Sequence, residues 1–290
     1  MAGAGIKIIN KRIRSVKSTQ QITKAMKMVS AAKLRRAQDR LLSARPYSSK
    51  LQQLLQRLAE AGGDSHPLFE SREVKRRLFV VVTSDKGLCG AYNMNVIRAA
   101  RAEIDASIAA GVETSVYAVG RRARDFFLKR DYDVVASHDD FGGAASDDKA
   151  RRVTKFVVTR FGEGEVDEVR FAYARFISTM TQRPTVATVL PITPPDTADE
   201  DEDGVALDYI WEPGRDAIYT ALLPQYLRNT VYIMLCEAFA SEHGARMSSM
   251  SAATKNAGEM IEALTLQRNR ERQAAITQEI SEIVGGANAL

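Results

Sequence analysis

The 290-residue sequence is poor in the residues that carry most enzyme and metal chemistry. It has 2 cysteines, 3 histidines and 1 tryptophan. Cys89 and Cys236 lie far apart in unlike contexts, one in a Gly-rich turn and one in a helical pattern, so a structural disulfide is not expected. His66, His138 and His243 are not spaced as a metal-binding pair, which leaves zinc chemistry without support. No stretch approaches the roughly 20 apolar residues that a membrane-spanning helix requires. The N-terminus, MAGAGIKIINKRIRS, lacks the apolar core of a secretory signal, and from Ile6 onward it reads as the mature helix. The chain is therefore expected to stay in the compartment that makes it. No Ser/His/Asp order suggests a nucleophile. The longest run of adjacent carboxylates, 199–203, cannot hold catalytic geometry. No catalytic, cofactor-binding or metal-binding residue is assigned.

What is present is a folded-protein composition, 45% hydrophobic and 27% charged, with an uneven charge. Residues 1–50 hold thirteen Lys/Arg against the single acid Asp39, a balance of 13 − 1 = +12. Residues 216–290 hold six bases and eight acids, 6 − 8 = −2. The whole chain is +5, so the middle carries −5.

Residues 4 to about 60 read as a long helix. Apolar or small residues step by three and four at Ile6, Ile9, Ile13 and Val16, then Leu34, Ala37, Leu41 and Ala44, then Leu51, Leu55 and Leu58. That heptad seam favours a left-handed coiled coil. In the middle the register lands on Gln20, Thr23, Lys27 and Ser30, while Ile22, Met26 and Val29 lie on a shifted face. A change of partner or exposure is expected there. Pro46 removes a backbone donor, so a kink or break is expected near Ala44–Arg45. Gly62-Gly63-Asp64-Ser65 ends the segment.

Residues 74–212 alternate in type. Leu78–Val82 is a short, wholly apolar strand, as for a strand buried on both faces. Strands at 115–119, 166–176 and 184–190 alternate with helices at 92–108, 121–129 and 146–161. This order predicts a Rossmann-like α/β domain with a mainly parallel sheet. Residues 194–204, PPDTADEDEDG, read as a mobile acidic loop. From Gly214 to 290 the pattern is helical again, with Met247, Met250, Thr254, Ala257, Ile261 and Leu264 in heptad steps. A helix from about 216 to 284 would run roughly 100 Å at 1.5 Å per residue. No small domain can bury both faces of such a rod. Its seam must pair antiparallel with the N-terminal helix, and its tip must lie in another protein. The fold class is thus α/β, with N- and C-terminal helices forming a long antiparallel coiled coil.

Three features keep alternatives open. The turn Ser84-Asp85-Lys86-Gly87-Leu88-Cys89-Gly90 joins a buried strand to a helix, where anions bind. It lacks both phosphate-loop patterns, which favours a structural turn. The basic run Lys7, Lys11, Arg12, Arg14, Lys17, Lys24, Lys27, Lys33, Arg35, Arg36 could bind nucleic acid, be a solvated face, or oppose acidic loops of a partner. No aromatic residue precedes Tyr47 to stack on bases. Met26, Met28, Met247, Met250 and Met260 fill either a coiled-coil core or a surface sliding in a sleeve.

The string Ile276-Thr277-Gln278-Glu279-Ile280-Ser281-Glu282-Ile283-Val284-Gly285-Gly286-Ala287-Asn288-Ala289 fits a family signature, ITxExx[DE]xxxGAx followed by a small or basic residue. Residues 22–29 (ITKAMKMV), 84–93 (SDKGLCGAYN) and 241–247 (SEHGARM) match three further blocks of that family in order. With these, the chain resembles the gamma subunits of F-type ATP synthases, and the likeness covers the whole sequence.

The resemblance implies a central rotor, not an enzyme, in a proton-translocating complex. Its antiparallel coiled coil would thread a ring of three alpha and three beta subunits. Its α/β domain, with the epsilon subunit, would sit on the membrane c-ring. Proton flow would turn the ring, and the asymmetric shaft would drive each beta site through different nucleotide affinities. By similarity, Met26 and Lys27 face the acidic loop of beta. Arg246, Arg272, Gln273 and Thr277 contact the beta loops that grip the shaft. Ile280, Ile283 and Val284 sit in an apolar bearing. Tyr209, Trp211 and Glu212 lie near the c-ring and epsilon. No cofactor is bound by the chain itself, and nucleic acid is not a partner. The cysteine-bearing insertion of chloroplast members is absent between the second and third blocks, so thiol switching of that kind is not expected. A peripheral position on the cytoplasmic face of a bacterial plasma membrane follows.

Overall fold

The computed structural model describes residues 2–60, 66–193, 212 and 214–287. Two compact units make up the chain: Ala31–Ala245, and Met1–Ser30 with Arg246–Leu290. Helix α1 spans Ala2–Glu60 and helix α5 spans Arg215–Ala287, so each contributes to both units.

The 31–245 unit is built on a five-stranded sheet. In chain order its elements are β1 (Arg76–Val82), α2 (Tyr92–Ala109), β2 (Glu113–Val119), α3 (Arg121–Leu128), β3 (Val134–His138), α4 (Asp147–Gly162), β4 (Glu168–Phe176) and β5 (Gln182–Leu190). The strand order is β3-β2-β1-β4-β5. The first four strands are parallel, and β5 pairs antiparallel with β4, with Phe171 opposite Ala187. Leu78 to Val82 are fully buried because β1 is central and covered on both faces. Phe79 and Val81 pack with Val96, Ile97 and Ile104 of α2 and Phe127 of α3. Leu78, Val80 and Val82 face the other layer, with Val153 and Val157 of α4 and Leu227, Val231 and Leu235 of α5. Leu41, Leu55 and Leu58 of α1 complete that layer. In α5, Tyr219, Leu223, Leu227, Val231, Leu235 and Phe239 step by four, and each is buried. Such a row lets one side of a helix lie along a neighbour.

The expected break at Pro46 does not occur, and α1 is helical through that residue. Pro46 stands on the exposed face, and so does Leu42, whose carbonyl loses the hydrogen bond. Water can take that bond while Leu41, Leu51 and Leu55 on the opposite face stay packed. Pro224 inside α5 is likewise exposed. Strand β3 has no counterpart in the sequence reading. It is a five-residue edge strand of half-buried residues, without the apolar run that marks β1. The acidic loop at 194–204 lies outside the described residues, as does the Gly62-Gly63 stop.

In the other unit, α1 and α5 run antiparallel. Thr23 Oγ1 lies 2.8 Å from Thr254 Oγ1. A Cβ on Gly258 would meet the amide of Gln20 at 3.2 Å. One helix thus steps back from 23 to 20 as the other steps forward from 254 to 258. Ile9, Ile13, Thr23 and Ser30 are buried on α1, and Met250 and Ala257 on α5.

Candidate functional site

The seam keeps its face at Thr23 and Ser30 where it turns polar, and between them half-buried Met26 takes the place of exposed Lys27. Thr23 and Ser30 stay buried, while Ile22, Met28 and Val29 are more than half exposed. The hydroxyls are satisfied inside the rod. Ser30 Oγ donates to Met26 O at 2.8 Å and Thr23 Oγ1 to Gln20 O at 3.0 Å. A heptad seam therefore persists with hydroxyls in place of methyls, and hydroxyls need defined partners when buried. Met26 is half-buried beside this seam and Lys27 is exposed. The basic residues Lys7, Lys11, Arg12, Arg14, Lys17, Lys24 and Lys27 all face solvent.

The antiparallel pairing places residue 2 of α1 opposite the region near 275 of α5. The part of α5 from 276 onward therefore extends beyond the start of α1. Its apolar residues lie open: Ile276, Ile280, Ile283 and Val284 are 49 to 71% exposed. Arg272, Gln273 and Thr277 are also exposed. Arg246 differs from them, being only 8% exposed. Glu212 is exposed, and Tyr209 and Trp211 lie outside the described residues.

The turn after β1 spends its polar groups on itself. Ser84 N donates to Asn93 Oδ1 at 3.0 Å, Ser84 Oγ to Lys86 O at 2.6 Å, and Asn93 Nδ2 lies 3.1 Å from Cys89 Sγ. Asp85 accepts from Arg121 N at 3.2 Å and from Gly142 N at 2.9 Å, tying the turn to α3 and to the loop after β3. Strand order reverses between β1 and β4, where an open α/β sheet usually offers its ligand crevice. Here α5 covers that edge. Tyr92 Oη donates to Ala238 O at 3.0 Å, and Ser241 Oγ donates to Ala174 O at 2.9 Å. His243 Nε2 lies 2.7 Å from Gly143 O. Gly244 packs beside Phe176 and Gln182, where a Cβ would make ordinary contact at 3.4 and 3.6 Å. A structural turn under a closed crevice results, as the missing phosphate-loop pattern suggested.

The block 241–245 thus docks α5 on the sheet, a role the sequence reading missed. Its run of small residues, Ser241, Gly244 and Ala245, was the available signal. Both cysteines are free and buried. Burial pushes the Cys236 thiol up to about 11, too high for a thiolate nucleophile near neutral pH. Burial also raises Glu237, with Arg175 opposing the shift. Among the described residues no three His, Cys, Asp or Glu side chains are grouped to hold a metal. No helix among them is long and apolar enough to cross a membrane.

Terminal helices paired antiparallel, and an α/β unit whose ligand crevice is covered by the chain's own helix, define a coiled-coil α/β protein. The sequence matches the family described as ATP synthase over residues 5–290. The ATP synthase gamma chain of Desulforamulus reducens is 48% identical over 289 residues, covering 99% of both chains. That of Pelotomaculum thermopropionicum is 48% identical over 283 residues, covering 97% of this chain and 98% of the relative. A chain of the Euglena gracilis mitochondrial ATP synthase, solved with OSCP, F1 and the c-ring, superposes with a TM-score of 0.68 at 19% identity, covering 99% of this chain and 95% of its own. The central stalk and c-ring structure from Tetrahymena thermophila gives 0.61 at 22% identity, covering 80% and 99%. The chain belongs to the ATP synthase gamma chain family. It is a gamma subunit of an ATP synthase complex.

Proposed function

We propose that the 1–30 and 246–290 segments form the shaft that turns inside a ring of three alpha and three beta subunits. The 31–245 unit joins epsilon and the membrane c-ring. The observation that carries this reading is the open end of α5, where four apolar side chains stand exposed beyond the start of α1. Ile280, Ile283 and Val284 there act as the apolar bearing, and Arg272, Gln273 and Thr277 meet the beta loops just below. Arg246, though largely buried within this chain, belongs to the same set of beta-loop contacts. Met26 and Lys27 meet the acidic loop of beta, whose charge suits the solvent-facing basic stripe of α1. Glu212, with Tyr209 and Trp211, belongs to the c-ring and epsilon side.

The chain needs no cofactor of its own. Protons drive the complex, which sits on the cytoplasmic face of a bacterial plasma membrane with this subunit peripheral. Expression with the alpha and beta subunits tests the reading: the chain should purify at one copy per six-membered ATPase ring. A chain that stays monomeric beside a fully assembled ring would refute it.

A further inference from the structure

Between α2 and α3, beside the turn that follows β1, lies a groove of about 330 Å³. Its apolar lining includes Leu88, Met94, Ile97 and Phe126, and its rim carries Arg122, Lys129 and Arg130.

Leu88 is the telling residue. It has φ of 62° and 60% of its surface is exposed. The left-handed region is costly for a side chain of this bulk and free for glycine. A turn made only for folding would place glycine there, as it does at Gly90, where φ is 57°. Instead an apolar side chain is held out to water in a strained conformation, a combination typical of contact surfaces. Met94, on the first turn of α2, exposes a further 48% of its surface.

The charge around this floor is uncompensated. Arg122, Lys129 and Arg130 form no ion pair with any described residue. Asp125, the one acid of the groove, already accepts from Arg124 Nε at 3.1 Å and Nη2 at 3.0 Å. The Arg130 guanidinium lies 3.9 Å from the Phe126 ring centroid. That covers the groove's one aromatic face and leaves nucleic-acid bases nothing to stack on. The surface is concave, so a flat lipid bilayer cannot fill it.

We propose that this groove docks an acidic segment of a protein partner. An apolar side chain of that segment seats against Leu88 and Met94, and its carboxylates pair with Arg122, Lys129 and Arg130. The surface uses no residue of the shaft, so its failure would leave the rotor reading standing.

The test uses the assembled synthase with a photoreactive benzoyl-phenylalanine at position 94. After irradiation, mass spectrometry should find an adduct on another polypeptide, at a segment where carboxylates flank an apolar residue. Its yield should fall about fivefold or more in Arg122→Glu/Lys129→Glu, and likewise when salt rises from about 50 to about 500 mM. Leu88→Gly should cut the yield too while leaving Tm unchanged or raised, which separates a docking role from a folding one. Adducts with lipid only, adducts within this chain only, no adduct, or a yield indifferent to all three changes would each overturn the proposal.

Discussion

Thr254 Oγ1 stands 2.8 Å from Thr23 Oγ1, joining the two helices of the rod through a pair of buried hydroxyls. Thr23 Oγ1 donates to Gln20 O and is left to accept from Thr254, whose own alternative acceptor is Met250 O at 2.7 Å. A heptad position filled by hydrogen-bonded polar groups fixes register at some cost in stability.

Thr254→Val alone should cost about 0.5–1.5 kcal/mol, the usual net worth of one hydrogen bond. Thr23→Val/Thr254→Val should recover most of that loss, because both polar partners leave together. Hydrogen exchange of amides 250–258 reads both. Strict additivity would show that the pair is not coupled.

Gly120 has φ of 100°, and a Cβ there would stand 2.3 Å from Thr83 O. Gly120→Ala combines backbone strain with a clash against backbone that cannot move cheaply. It should destabilise the α/β unit by about 2–4 kcal/mol in urea denaturation. A change below about 0.5 kcal/mol would contradict the close approach of β1 and β2 at this point.

Burial holds His138 below its ordinary value of 6.5, and Arg152 adds to the effect against Asp140 and Asp139. His66 is lowered by burial in the same sense. As pH falls below 6.5, the unfolded chain takes up these protons before the folded one. Stability contributed by the neutral rings is therefore full above 6.5 and is lost as pH drops toward the folded values. In His138→Asn the slope of stability against pH should be shallower in that window. An unchanged slope would rule out His138 as a contributor.

Met26 is half-buried beside a solvent-facing basic stripe. On the proposed placement against an acidic loop of beta, Met26→Lys should strengthen that attraction and slow ATP-driven turnover several-fold at about 50 mM salt, with recovery near 300 mM as the charges are screened. Turnover equal to wild type at both salt concentrations would remove residue 26 from that contact.

Regular pattern made much of this legible in advance. The apolar run at 78–82 announced a strand covered on both faces, and heptad steps announced both long helices. What stayed hidden depended on three-dimensional company. Pro46 reads as a breaker until its exposed face is known. Thr23 and Ser30 read as a lapse in the seam, yet both hydroxyls find backbone carbonyls inside it and Thr23 also accepts from Thr254. Strand β3 lacks an apolar run because it closes an edge. The closure of the crevice was least visible, since Ser241, His243 and Gly244 meet strands and loops far away in sequence.

The most direct test watches the subunit turn. The chain is assembled with the alpha and beta subunits, the ring is fixed to glass, and a bead is attached at an introduced cysteine on the α/β unit, at the exposed Ile108. The account predicts unidirectional rotation that starts with ATP, proceeds in steps, and stops when nucleotide is withdrawn. Steady ATP hydrolysis by the ring with a motionless or randomly jittering bead would contradict it.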